Sequence, residues 1–266
     1  MSKVVIEQMV SPLAFDERPV EKRIGLVVLA TDHTTEPDFQ RMVAGERIGI
    51  YTARIAYTNP TTPDNLRRMQ PRLSEGATLI LPDEPLDAIC YSCTSASVVM
   101  GDDAIEAAIR EAKPEVPVIT PPSAVRHALD SLGLRRISIL TPYVLETSRP
   151  MADYFEDYGY DIARFSSLGL EDDRDMARIK PESLIAVARA AAVADAEALF
   201  ISCTALRSAQ IAAQIEREIG QPVITSNLAT AWLTLRICGD EAPRPELGHL
   251  MTKPASSWAA CTKPSG

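Results

Sequence analysis

Leu86-Asp87-Ala88-Ile89-Cys90-Tyr91-Ser92-Cys93-Thr94 returns later in the chain as Ala196-Glu197-Ala198-Leu199-Phe200-Ile201-Ser202-Cys203-Thr204. Each copy reads as a short apolar strand running into Ser-Cys-Thr. Each is followed by a helical stretch and then by Pro-Val-Ile-Thr, at Pro117 to Thr120 and at Pro222 to Thr225. An opening strand precedes each copy too, Lys22-Arg23-Ile24-Gly25-Leu26 matching Arg135-Arg136-Ile137-Ser138-Ile139. Self-similarity of this kind marks a duplicated structural unit.

Working outward from that pair, β-branched runs at 23–29, 47–56, 87–91, 116–120, 136–141, 198–202 and 222–225 predict strands. Apolar residues at helical spacing predict helices over 62–81, 101–113, 122–132, 148–158, 181–194, 205–219 and 227–237. Strand then helix, repeated, implies a parallel sheet covered on both faces. The expected fold class is α/β: two similar doubly wound, Rossmann- or flavodoxin-like halves related by a pseudo-twofold axis, with the active site in the cleft between them. The seam falls near Gly133. An N-terminal half over 1–133 and a C-terminal half over 134–235 follow, with the last segment, 236–266, expected to pack back on the N-terminal half.

The chain has 266 residues, 46% hydrophobic and 24% charged, which excludes disordered and fibrous classes. No apolar run approaches the roughly 18 residues of a membrane span. Residues 1–21 carry Glu7, Asp16, Glu17 and Glu21 with no apolar stretch behind a basic one, so they do not read as a secretory signal and the cytoplasm is the expected location. The net charge of -9, with no Lys/Arg cluster longer than a pair, excludes a nucleic-acid partner. Five cysteines, an odd number without a secretion signal, argue for thiols rather than a disulfide framework. His33, His127 and His249 do not stand at ligand spacing, so no metal site is expected.

Open parallel sheets bind ligands outside the carboxyl ends of their strands. A cysteine there, beside the positive end of a helix, is expected to have a lowered pKa, and the unpaired helix N–H groups can hold a carboxylate. Two such half-sites would present Cys93 and Cys203 to opposite faces of one small acid, the geometry of a two-base catalyst. Cys90 forms Cys-x-x-Cys with Cys93, which invites a redox reading. Its counterpart in the second copy is Phe200, an apolar filler, so Cys90 reads as core. Cys238 and Cys261 have no motif around them. His33 follows a strand end and precedes Glu36 and Asp38; it either contacts substrate or caps the next helix.

These residues resemble the cofactor-independent aspartate/glutamate racemase superfamily, which includes maleate isomerases and arylmalonate decarboxylases. The resemblance covers nearly the whole chain and is strongest at Cys93-Thr94 and Cys203-Thr204. Thr141-Pro142-Tyr143 is similar to the position whose Tyr contacts the substrate carboxylate. Residues 30–36 resemble the loop after the first strand of maleate isomerases, with His33 where those have Asn. A second family Asn, expected near 171–174, has Asp173 as its nearest match, and both departures point away from maleate itself. Residues 29–39 are most similar to the ectoine-utilisation branch.

The resemblance implies a cofactor-independent two-cysteine isomerase, a racemase, epimerase or cis-trans isomerase of a small carboxylic acid from ectoine or hydroxyectoine breakdown. Maleate isomerase proper, a decarboxylase of a malonate-type acid and a non-catalytic small-carboxylate binding protein are the alternatives. It also implies a homodimer. Cys93 and Cys203 are then catalytic. Thr94, Ser95, Thr204 and Ala205 supply N–H groups, and Thr94, Ser95, Thr204 and Tyr143 supply hydroxyls, to bind substrate and stabilise a planar, charge-rich intermediate. His33 is a substrate contact, and no cofactor or metal is required.

Overall fold

Two four-stranded parallel sheets form the frame of the computed structural model, which describes residue 4 and residues 6–255. In the first, β1 (Lys22–Leu29) lies between β2 (Ile48–Ile55) and β3 (Ala88–Ser92), and β4 (Val118–Ile119) pairs with β3. In the second, β5 (Arg136–Tyr143) lies between β6 (Asp161–Leu170) and β7 (Ala198–Ile201), and β8 (Val223–Thr225) pairs with β7. The strand order is the same in both sheets, and so is the register of β1, β3 and β4 against that of β5, β7 and β8, whereas the β5–β6 pairing carries two shifts that β1–β2 lacks. Ile24 pairs with Ala88 as Ile137 pairs with Ala198, and Ile89 pairs with Val118 as Leu199 pairs with Val223. The repeated sequence is therefore a repeated fold.

Helices cover both faces of the sheets: α1 (Thr35–Met42), α2 (Pro63–Arg67), α3 (Pro71–Thr78), α4 (Thr94–Met100), α5 (Asp102–Ala112) and α6 (Pro121–Leu132) in the first half. The second half has α7 (Leu145–Asp157), α8 (Asp173–Arg178), α9 (Pro181–Ala191), α10 (Ala212–Ile219) and α11 (Ser226–Ile237). The helix predicted over 62–81 is two helices, because Pro71 starts a new one at the first position, where its missing N–H goes unused. The strand β6 escaped the sequence pattern. It is a sheet edge whose residues are half-buried or exposed throughout, so its sequence, with Arg164, Ser166, Ser167 and Gly169, lacks an apolar run.

Both Pro-Val-Ile-Thr motifs end in a helix cap: the Thr120 hydroxyl accepts from Ser123 N at 3.3 Å and the Thr225 hydroxyl from Leu228 N at 3.2 Å. The helices they start, α6 and α11, pack on each other, and α11 also packs on α1. One apolar core consequently runs from Ile24, Leu26 and Val28 through Val125 and Trp232 to Ile137, Ile139 and Leu199, joining the halves. A second cluster, with Val27, Ile89, Tyr91 and Cys93, fills the other face of the first sheet under α2, α3 and α5.

Of the segment 236–266, residues 256–266, with Cys261, lie outside the described residues. Two short 3-10 turns, Pro245–Leu247 and His249–Thr252, rest on α10, α11 and β8, where Trp232 Nε1 and Arg236 Nε both donate to the Lys253 carbonyl at 2.9 Å. Cys238, Asp240 and Arg244 share a surface depression with Lys22 and residues 43–48. Among the described residues no helix is long and apolar enough to cross a membrane.

Candidate active site

Cys93 is the residue at which β3 gives way to α4. It keeps extended backbone, with φ -151° and ψ 106°, and its carbonyl accepts from the Ser97 N–H at 3.0 Å and the Ser97 hydroxyl at 2.7 Å. Cys90 faces the other way: its sulfur lies 3.3 Å from Thr234 Oγ1 on α11, inside the core that joins the halves. A strand alternates its faces, so the Cys-x-x-Cys spacing separates these two thiols. Cys90 is core, as its equivalence to Phe200 in the repeat implies, and it is a free thiol.

Cys203 is built differently. The helix predicted from Ala205 begins only at Ala212, and residues 204–211 form turns. Cys203 itself has φ +106°, a conformation that costs a non-glycine residue about 1–3 kcal/mol and persists only where the surroundings impose it. Here they do. Its N–H donates to Ser226 Oγ at 3.0 Å, the Thr204 hydroxyl donates to the Ser92 carbonyl at 3.2 Å, and the Thr204 carbonyl accepts from Asn227 Nδ2 at 3.0 Å and from the Thr34 hydroxyl. Ser226 Oγ also accepts from the Thr94 hydroxyl at 2.8 Å. One buried oxygen thus ties the residue after Cys93 to the backbone of Cys203. Ser226-Asn227 stands where the first copy of the repeat has Pro121-Pro122, and this divergence between copies is the sequence signal for it.

The two thiols line one narrow cavity between the halves, together with Ser95, Tyr143, Thr204 and Ala205. Six of the eight candidate residues therefore meet. Thr94 does not line the cavity, since its hydroxyl turns to Ser226. His33 is exposed, and the neighbouring Asp32 lines the cavity in its place. Asp32 also holds the start of α1: Oδ1 accepts from the N–H groups of Thr34 and Thr35, each at 2.8 Å, and Oδ2 from the Thr35 hydroxyl at 2.8 Å. Tyr143 is buried at the end of β5 with its hydroxyl in hydrogen-bonding reach of Cys203 and Ser95.

The roof comes from loops of both halves. Thr61 N donates to the Glu171 carbonyl at 2.7 Å, Thr147 Oγ1 to the Thr61 carbonyl at 2.7 Å, and Asn59 Nδ2 to Asp173 Oδ1 at 2.7 Å. The Thr31 hydroxyl donates to Asp173 Oδ2. Asp32, Tyr57, Thr61 and Asp173 line the cavity from these loops. Of the four, only Asp173 stood out in the sequence.

Electrostatics correct one expectation. Burial pushes the Cys93 thiol up to about 11 and the Cys203 thiol up to about 12, where a helix terminus was expected to lower both. Taking a thiolate out of water outweighs the help of the Ala96 N–H and the Ser95 hydroxyl at Cys93, and of Tyr143 and the Ala205 N–H at Cys203. For Cys203 there is also no helix terminus beside it. The negative charges of Asp173, and at Cys93 of Asp32 too, oppose ionisation further. Burial likewise raises the Asp32 carboxyl, against the hydrogen bonds from Thr35 and Thr34. Two neutral thiols flanked by hydroxyl donors can give a proton to one side of a bound carbon and, once one is ionised, take a proton from the other or add to an alkene.

The sequence profile of the arylmalonate decarboxylase family matches residues 25–251. A maleate isomerase of Alcaligenes faecalis is 24% identical over 245 residues, 86% of this chain and 96% of its own. An arylmalonate decarboxylase of Bordetella bronchiseptica is 30% identical over 150 residues, 55% of this chain and 62% of its own. Among solved structures, a mutant of the Nocardia farcinica maleate cis-trans isomerase with a covalently bound succinylcysteine intermediate superposes with a TM-score of 0.79 at 24% identity, over 87% of this chain and 98% of that one.

Proposed function

The chain belongs to the arylmalonate decarboxylase family, and we propose that within it this protein is a cofactor-independent isomerase that uses Cys93 and Cys203 on a small carboxylic acid. The observation that carries this reading is the meeting of two cysteines, equivalent in a duplicated fold, in one cavity with Tyr143. One thiolate removes the proton from the carbon next to the carboxylate, and the opposite thiol returns one to the other face, which gives a racemase or epimerase. With an alkene substrate a thiolate adds instead, the new single bond rotates, and the thiolate leaves. The covalent cysteine adduct described for the Nocardia farcinica relative supports this second route.

The Ser95 and Tyr143 hydroxyls stand beside the thiols as donors for the substrate carboxylate and for the charge of the intermediate, where each donor is worth roughly 3 kcal/mol. Thr94 and Thr204 act by position, since their hydroxyls hold the two Cys-Thr turns together through Ser226 and Ser92. On the likeness of residues 29–39 to the ectoine-utilisation branch we further propose a substrate from ectoine or hydroxyectoine breakdown, and on the family likeness a homodimer as the working form.

Decarboxylation of a malonate-type acid is the second reading, supported by the family's description and by the Bordetella bronchiseptica relative. It needs one thiol, to protonate a carbanion. Incubating candidate acids in deuterated water separates the readings. Isomerisation by proton transfer puts deuterium on the carbon next to the carboxylate without loss of CO2, and addition leaves a substrate adduct on one cysteine in intact-protein mass spectra. Release of CO2 with one cysteine dispensable refutes the isomerase.

A further inference from the structure

Among the described residues no Lys, Arg or His lines this cavity. Two carboxyl groups do. Asp32 is 5% exposed and Asp173 is 7% exposed, and among the described residues neither carboxylate has a salt bridge: Arg54 pairs with Glu36 and reaches only the Asp32 carbonyl, at 3.0 Å, and Arg174 pairs with Asp172. The contrast with Asp38 is informative, because that equally buried carboxylate has its cation, Arg41, at 2.8 Å.

Hydrogen bonds satisfy Asp32 and Asp173 only in part. A carboxylate has about four acceptor positions. Asp32 uses three, for Thr34 N, Thr35 N and the Thr35 hydroxyl, and Asp173 uses two, for Asn59 and Thr31. About three positions remain on groups that border the cavity, which suits the three donors of an ammonium. Maleate would bring two more negative charges against this wall, and a zwitterion would bring a cation to it.

Resting on the isomerase reading above, we propose that the substrate is an amino-substituted carboxylic acid whose protonated nitrogen is held by Asp32 and Asp173, while its carboxylate faces the Ser95 and Tyr143 hydroxyls. The acidic wall then sets specificity: it selects a zwitterion and rejects the dicarboxylates that the maleate isomerases are named for. The charged nitrogen would also sit near both thiols, where it offsets the carboxylates that oppose their ionisation.

The test is calorimetric binding of matched acids, 2-aminobutyrate against butyrate and aspartate against succinate, with maleate alongside. The wild-type protein should bind the amino member of a pair at least about tenfold more tightly, which is about 1.4 kcal/mol. Asp32→Asn and Asp173→Asn should each erase most of that preference and improve maleate binding. Asn keeps the acceptor that caps α1, and a melting curve confirms that each variant is folded. Lack of an amine preference in every pair, including failure to bind either member, overturns the proposal, and so does a preference that survives both substitutions. Cys93→Ser and Cys203→Ser should keep the preference. Loss of the preference in wild-type protein with cysteine-dependent turnover intact sinks this proposal alone, whereas turnover that ignores both cysteines sinks the isomerase reading alone.

Discussion

Replacing Ser226 with Ala removes the oxygen that accepts from both the Cys203 N–H and the Thr94 hydroxyl. The Thr94 hydroxyl can rotate toward another acceptor, but the N–H cannot. Leaving a buried donor unsatisfied costs about 1–3 kcal/mol, and losing the Thr94 bond adds about 1 kcal/mol. Relaxation of Cys203 from φ +106° returns part of that, since such a conformation stores about 1–3 kcal/mol. The net expected loss is about 2 kcal/mol, read as a drop of roughly 4–8 °C in Tm and a matching shift in urea midpoint. The relaxation also moves the thiol, and a displacement of about 1 Å can cost about 100-fold in rate, so turnover that depends on Cys203 should fall by about 10- to 100-fold. A double-mutant cycle sharpens the test. Thr94→Val alone should cost about 1 kcal/mol, and the double variant no more than Ser226→Ala alone, a coupling of about 1 kcal/mol through the shared oxygen. Stability of Ser226→Ala within about 0.5 kcal/mol of wild type, with additive effects in the double variant, would refute the account of how the Cys203 turn is held.

Four further outcomes are expected. Alkylation of Cys93 and Cys203 in the ligand-free protein should keep accelerating past pH 9 toward about 11 and 12, with about 100-fold less Cys93 thiolate near neutral pH than an ordinary thiol of pKa 9.0; a plateau below pH 8 contradicts the burial argument. Because folding raises both thiol pKa values, their contribution to stability is complete below the unfolded value near 9.0 and is lost as pH climbs through 11 to 12, which urea midpoints at alkaline pH report. Tyr143→Phe should lower kcat about 100-fold by removing a donor beside Cys203, with stability changed by less than about 1.5 kcal/mol in denaturation curves; unchanged kcat removes Tyr143 from the site. Cys90→Ala should leave turnover unchanged and cost about 1 kcal/mol of stability, and loss of activity in the folded variant would reopen the redox reading.

Much of this molecule was legible because the chain states its plan twice. The Ser-Cys-Thr and Pro-Val-Ile-Thr motifs recur at the same register in two sheets, so the fold and the pairing of Cys93 with Cys203 followed from the repeat alone. Features that break the repeat were harder to see. β6 is an edge strand without an apolar face, and the turn at 204–211 replaces a helix whose apolar spacing looked continuous. The polar wall was hidden for a different reason. Asp32 and His33 are adjacent at a strand end, and only the backbone path decides which faces the cavity and which faces solvent. A helix terminus is visible in sequence and burial is not, which is why the sequence points the thiol pKa values down and the structure raises them.

Two cysteines that serve opposite faces of one substrate carbon each handle one enantiomer. For a racemisable acid in deuterated water, Cys93→Ser should exchange the proton of one enantiomer without inverting it, and Cys203→Ser should do so for the other enantiomer, as measured by proton NMR on resolved substrates. The double variant should exchange neither. Inversion that persists in either single variant, or exchange of the same enantiomer in both, would contradict that assignment.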